Sequence, residues 1–167
     1  IEPYSTDASP SWNGFIHQGQ VAIYVVLKMF REGEISEEDI SKYELELEWL
    51  EDFSIKKDGR YKSIHQVKTY DDTATSKYKE AIWLLLAKLL ELDELENAFL
   101  HVTQSLTKFD KLIEKLPTYT IPEDKSYSSR KSMYLTPKEC KDKVLASGNY
   151  ENVYSKFDLY TYLDGIK

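Results

Sequence analysis

The sequence predicts an α+β protein, of the broad α/β class, with one sheet flanked by helices. Three patterns carry this prediction: a long apolar run at residues 14–30, a strictly alternating segment at residues 42–50, and an apolar stripe with helical spacing at residues 75–92. The 167 residues suffice for one sizeable core. We therefore expect a core of order α-β-β-β-α-β with a mixed sheet, followed by a mainly helical C-terminal tail.

The chain divides into three predicted segments. Residues 1–12 contain prolines and serines without apolar periodicity, which indicates an N-terminal arm. Residues 13–104 hold the six core elements, and the first helix is expected over Gly14–Phe30. Residues 105–167 form a mainly helical C-terminal extension, with helices expected at 107–116 and 136–147.

The first strand is predicted from the alternation in KYELELEWL, residues 42–50. Side chains on alternate positions of a strand point to opposite faces. One set is apolar and is expected to pack on the protein: Tyr43, Leu45, Leu47 and Trp49. The other set is acidic and is expected to face water: Glu44, Glu46 and Glu48.

The remaining core elements follow from turn signals and periodicity. Asp58-Gly59 is a hairpin turn signal between short strands at Phe53–Lys56 and Arg60–Tyr70, which predicts a meander. The apolar stripe of Thr75–Leu92 predicts a helix that covers the sheet, and Asn97–Thr103 reads as a fourth strand.

Composition limits the functional class. The net charge of -7 disfavours a protein whose main task is non-specific nucleic-acid binding, although the acidity is concentrated before residue 105. Lys125–Lys143 carries six basic residues beside Tyr127 and Tyr134, and is either a phosphate-contacting segment or a solvated loop. No apolar run is long enough to span a bilayer. The lone Cys140 cannot form an intrachain disulfide, so we expect a reducing, cytoplasmic setting.

Three polar residues form a candidate catalytic group. Asp52 ends the first strand or begins the second, where its carboxylate offers hard oxygen to Mg²⁺. Gln66 and Lys68 share a parity on the third strand, so their side chains leave one face of the sheet together. The Gln66 or Val67 carbonyl can complete a metal shell, and Lys68 can orient water or offset phosphate charge. Glu48 is a further candidate ligand.

These residues and their context resemble the PD-(D/E)XK restriction-endonuclease-like superfamily in its Asp…Gln-X-Lys variant. The resemblance is carried by LEDFSI (Leu50–Ile55) leading through a turn into IHQVK (Ile64–Lys68), within the predicted element order. The opening GFIHQGQVAIYVVL is similar to the first helix of nuclease domains in certain bacterial antiphage effectors. The resemblance covers about residues 12–104.

The resemblance implies a restriction-endonuclease-like core and a nuclease that cleaves DNA with Mg²⁺ or Mn²⁺ in prokaryotic defence. It places the acidic metal ligand on Asp52, the second ligand on Gln66, the catalytic lysine on Lys68 and a helix-borne polar contributor on Gln18. Gln66 stands where many relatives carry an acid. The resemblance is compatible with further domains or subunits of a larger defence protein and with a homo-oligomer.

Other chemistries are disfavoured, and one rival function stays open. The sequence has no nucleophile elbow, no glycine-rich phosphate loop and no cysteine pair for zinc. His17, His65 and His101 lack zinc-ligand spacing and receive no role. The rival is a non-catalytic interaction or dimerisation module that keeps the nuclease-like sheet, which the acidic balance and Gln66 favour.

Overall fold

The computed structural model describes residues 9–123 and 135–161, without the side chains of residues 9–12. The helices are α1 (Ser9–Arg31), α2 (Lys79–Glu91), α3 (Leu112–Lys115), α4 (Pro137–Ala146) and α5 (Tyr150–Tyr154). The strands are β1 (Tyr43–Leu47), β2 (Phe53–Lys57), β3 (Arg60–Lys68), β4 (Asn97–Val102) and β5 (Phe157–Thr161). Short 3₁₀ turns cover Ile40–Lys42, Thr75–Tyr78, Phe109–Lys111 and Leu116–Thr118.

The described strands form one mixed sheet in the order β1-β2-β3-β4-β5. β1, β2 and β3 pair antiparallel, which confirms the predicted meander. Asp58 and Gly59 both have positive φ at its hairpin, 52° and 75°, as a two-residue turn of this kind requires. β4 pairs parallel to β3 after the α2 crossover, and β5 pairs parallel to β4. The α+β class with helices flanking a mixed sheet is therefore confirmed.

The N-terminal arm and the C-terminal extension differ from the sequence prediction. α1 begins at Ser9, so the last four residues of the predicted 1–12 arm are helical, and residues 1–8 lie outside the described residues. The C-terminal segment is not only helical, because β5 at Phe157–Thr161 adds a strand to the sheet. That strand is five residues long and mixes polar with apolar residues, so it carries no clear alternation.

The prediction that the apolar face of β1 packs on the protein is confirmed for Tyr43, which packs against buried core residues, and is wrong for the other three residues. Leu45 is 42% exposed, Leu47 is 49% exposed and Trp49 is 74% exposed. These side chains are exposed because β1 is an edge strand and nothing among the described residues covers them. Glu46, expected in water, is instead half-buried and pairs with Lys56 at 2.5 Å.

A hydrophobic core lies on each face of the sheet. On the α1 face, α1 side chains such as Val21 and Val25 pack with Phe53, Ile55 and Val67. On the α2 face, the larger core contains the following strand and helix residues, all of them buried: Ile64, Ala98, Leu100, Ile82, Leu85, Leu86, Leu89, Cys140, Val144 and Val153. Leu85 is fully buried there, which confirms that α2 covers the sheet as predicted.

Among the described residues, no helix combines the length and the apolar character needed to cross a membrane. Residues 124–134, which include most of the basic and tyrosine-containing Lys125–Lys143 segment, lie outside the described residues. The question whether that segment contacts phosphate therefore stays a sequence prediction.

A capping box begins α4. The Thr136 hydroxyl accepts a hydrogen bond from the Glu139 N–H at 3.2 Å, and the Glu139 carboxylate accepts one from the Thr136 N–H at 2.7 Å. We expect Thr136→Ala to lower the free energy of unfolding by about 1 kcal/mol, measured by urea denaturation. Lys138→Ala, which removes only an exposed ion pair of the same helix, is the control and is expected to cost less than about 0.5 kcal/mol. Equal losses in the two variants would contradict a capping role.

Candidate active site

Asp52 is anchored at the end of the β2-β3 ladder. The last paired residues there are Phe53 and His65, so β3 continues beyond the reach of β2. The Asp52 carboxylate occupies the next place, and its Oδ2 accepts a hydrogen bond from the Val67 N–H at 2.6 Å. Gln18 of α1 hydrogen-bonds the same carboxylate. Asp52 is thus fixed by one backbone group of the sheet and one side chain of the first helix.

Burial and the neighbouring polar groups shift the pKa of Asp52 in opposite directions. Burial raises the pKa of this carboxyl above its usual value of 3.8. The Val67 N–H, the Lys68 ammonium and the Gln18 amide each oppose that rise because they stabilise the ionised form. The net result is a raised pKa, which means that the site holds the carboxylate in a partly dehydrated place, where it interacts strongly with any cation that approaches.

Gln66 and Lys68 leave the sheet on the α2 face. Ile64 packs in the core of that face, whereas Val67 packs on the α1 face, so alternation puts Gln66 and Lys68 with Ile64. Lys68 is half-buried, and its charge lowers the pKa of Asp52. Gln66 is only 8% exposed, and its Oε1 has no hydrogen-bond partner in the described part of the chain. A buried acceptor without a donor is costly, and a bound cation would satisfy it.

Glu51 and Lys88 join this group and were missed by the sequence analysis. The Lys88 ammonium of α2 donates hydrogen bonds to the Leu50 carbonyl and to the Glu51 carboxylate. Burial, together with the neighbouring Asp52 charge, raises the pKa of Glu51, while Lys88 and Lys68 oppose the rise. The signal was present in the sequence. Lys88 stands three residues after Leu85 in the apolar stripe of α2, and a lysine at a buried helical position requires a partner.

Glu48 lies outside β1. The strand ends at Leu47, three residues earlier than predicted, and Glu48 has a φ of 57° with its N–H bonded to the Asp52 carbonyl at 3.1 Å. Strand parity therefore gives no direction for its side chain, which is exposed. Its role as a metal ligand stays a prediction from sequence alone, whereas Gln18, Asp52 and Lys68 are brought together.

His65 and His101 form a buried pair on the α1 face. The parallel register of β3 and β4 makes them diagonal neighbours, and His65 Nδ1 lies 2.9 Å from His101 Nε2. Ser63 Oγ lies 2.8 Å from His65 Nε2. Burial lowers the pKa of His101 to about 3 and that of His65 well below its usual value, so both rings are neutral near pH 7. Their hydrogen bonds are consistent with satisfied core residues.

The protein groups available for metal binding are limited. Among the residues that the structure describes, no three His, Cys, Asp or Glu side chains are grouped so that they could hold a metal ion. The Asp52 carboxylate and the unpartnered Gln66 amide each carry oxygens of the kind that a hard cation binds. Mg²⁺ commonly uses one or two carboxylates and takes its other ligands from water and substrate phosphate, so the chemistry of the Asp52 carboxylate is suited to Mg²⁺.

Comparison with known proteins gives no relatives: no protein-family model, no curated protein and no solved structure matches this chain.

Proposed function

We propose that this protein is a metal-dependent nuclease that hydrolyses phosphodiester bonds in DNA, with a restriction-endonuclease-like core over residues 13–104. The observation that carries the proposal is the grouping of Asp52, Lys68 and Gln18 around the end of the β2-β3 ladder. Asp52 and Lys68 are two of the residues that the Asp…Gln-X-Lys motif assigns to catalysis, and Gln18 is the helix-borne contributor that the resemblance adds. In this proposal, residues 105–167 are a C-terminal extension of the nuclease core.

The metal ion would be held by Asp52 and by Gln66, whose buried Oε1 lacks a partner in the described chain. Mg²⁺, or Mn²⁺ in its place, would supply Lewis-acid polarisation of the scissile phosphate and a lowered pKa for an attacking water. The protein groups have distinct tasks. Gln18 and the Val67 N–H orient the Asp52 carboxylate, and burial keeps its charge poorly screened.

Lys68 is assigned to the reacting phosphate. Its ammonium is close enough to influence the pKa of both Asp52 and Glu51. A fixed positive charge at that position would orient the attacking water and offset the negative charge that develops on the phosphate oxygens. The choice of DNA as substrate, and of antiphage defence in a bacterial cytoplasm as setting, rests on the resemblance.

The test is cleavage of a generic duplex DNA with Mg²⁺ or Mn²⁺, together with calorimetric titration of either metal. We expect the wild-type protein to bind metal and cut DNA, and EDTA to abolish cutting. An Asp52→Asn variant is expected to lose both properties. A well-folded wild-type protein that neither binds metal nor cleaves DNA or RNA would exclude the proposal, and cleavage of RNA alone would correct the substrate.

Gln18 offers a further prediction within this proposal. Gln18→Leu removes a hydrogen bond to the Asp52 carboxylate without removing a ligand. Loss of an outer partner of a metal ligand typically costs 10–100-fold in affinity, so we expect a loss of about that size in the Mg²⁺ titration. Gln20→Leu is the matched control, because Gln20 is exposed on the same helix. Equal affinities for the wild type and the Gln18 variant would remove Gln18 from the site.

A second candidate is an interaction or dimerisation module. The observation that favours it is apolar exposure: Ile23 is 59% exposed and Leu27 is 62% exposed on α1, and Trp49 is 74% exposed after β1. Large exposed apolar side chains that line one helix face commonly mark a contact with another protein. Concentration-dependent association without metal binding would place this candidate ahead of the nuclease.

A further inference from the structure

The segment that carries Asp52 has an unusual anchor. Residues 48–52 connect β1 to β2 without regular structure, and a hydrogen bond from the Glu48 N–H to the Asp52 carbonyl closes them into a turn. Lys88 reaches this turn from α2 and binds both the Leu50 carbonyl and the Glu51 carboxylate. The two contacts fall on the residues immediately before Asp52.

The anchor comes from a helix that is packed into the larger core. α2 belongs to the large core of the α2 face, with Leu85 and Leu89 buried on either side of Lys88. The Lys88 side chain is 17% exposed and that of Glu51 is 8% exposed, so the pair is largely withdrawn from water. Charged groups interact more strongly in such surroundings than on a surface, and an ammonium with two acceptors holds both in one place.

We propose that Lys88 is a positioning residue. It holds the turn at residues 48–52 so that the Asp52 carboxylate stays hydrogen-bonded to the Val67 N–H and close to Lys68. Its importance for catalysis rests on the proposed function, but its effect on the position of Asp52 does not. Lys88 acts through the turn and has no contact with substrate in this role. Leu50 also packs on the core of the α2 face, so apolar contact alone is the competing explanation for the order of the turn.

The test compares amide hydrogen exchange and metal binding in matched variants. Lys88→Met keeps the unbranched apolar stem and removes the ammonium. We expect the Val67 amide, whose N–H is bonded to Asp52, to exchange at least about 10-fold faster in this variant. Amides within the β2-β3 ladder are expected to keep their protection. Affinity for Mg²⁺ is expected to fall by about 10–100-fold, because Asp52 is then less well oriented.

Two further variants make the result specific. Lys143→Met removes the ion pair between Lys143 of α4 and Glu91 of α2, which is a lysine–glutamate pair of α2 in an exposed place. The exchange rate of the Val67 amide should stay at the wild-type value in this variant. Lys88→Met combined with Glu51→Gln removes both buried charges together. This double variant avoids leaving Glu51 ionised without a partner, and it serves if the single variant does not fold.

The outcomes separate this inference from the proposed function. Wild-type protection of the Val67 amide in folded Lys88→Met protein, or in the double variant, would overturn the positioning role, since apolar packing would then suffice. Faster exchange in these variants with unchanged exchange in Lys143→Met would support it. A wild-type protein that binds no metal and cleaves nothing would refute the nuclease proposal, while the exchange rates would still decide whether Lys88 positions Asp52.

Discussion

Lys68→Met is expected to lower the rate of DNA cleavage by about 10²–10³, the scale observed when one preorganised electrostatic group is removed from an active site. The substitution keeps the length of the side chain and removes the charge that is directed at the Asp52 region. Lys68 is half-buried at the last position of β3, so its apolar stem continues to cover the sheet after replacement. Folding should therefore be retained, with a melting temperature near that of the wild type.

The control for this prediction is Lys62→Met on the same strand. Lys62 pairs with Glu96 at 3.4 Å near the opposite end of β3 and has no part in the proposed reaction. Its replacement should leave cleavage unchanged. Metal binding by Lys68→Met should also stay close to wild type, because Asp52 and Gln66 remain. Undiminished cleavage by folded Lys68→Met protein would rule out the assigned role.

The elements that the sequence predicted well are those whose periodicity is set by burial. α2 carries a broad apolar stripe and is buried along it. The meander is specified by Asp58 and Gly59, which adopt the positive φ that the hairpin turn requires. β1 shows the limit of this reasoning. Its alternation was read correctly as a strand, but alternation does not reveal whether anything covers the apolar side, and Leu45 lies on an uncovered edge.

The site shows a related limit. Asp52 and Lys68 could be paired from the motif, because the hairpin brings their strands together. Glu51 and Lys88 are 37 residues apart, and their contact depends on how α2 crosses the sheet after β3. The same applies to His65 and His101, whose pairing follows from a parallel register that no local pattern encodes.

The second large effect is expected from Asp52→Asn, which should alter stability in opposite directions with and without metal. The raised pKa of Asp52 means that the folded protein holds the proton more tightly than the unfolded chain does. The protonated form therefore contributes stability that is fully present below pH 3.8 and is lost as the pH rises through the higher folded-state value. At pH 7.5 the carboxylate is ionised, and its burial costs stability.

Asparagine keeps an oxygen that can accept the Val67 N–H and removes the charge. In EDTA at pH 7.5 we accordingly expect the variant to melt at a higher temperature than the wild type, and the difference to shrink toward pH 4, where the wild-type carboxyl takes up its proton. Removing the charge also relieves its repulsion of Glu51, whose pKa Asp52 raises. Asp93→Asn, at an exposed position, is the control and should show neither effect.

Saturating Mg²⁺ should reverse the order. A ligand that binds only the folded state at about 100 times its dissociation constant stabilises that state by about 2.7 kcal/mol, and this gain goes to the wild type alone if Asp52 is a ligand. Thermal melts of both proteins with EDTA and with Mg²⁺ measure the effect directly. A wild-type melting temperature that does not respond to Mg²⁺ or Mn²⁺, with Asp52→Asn more stable under every condition, would mean that the buried carboxylate serves something other than metal binding.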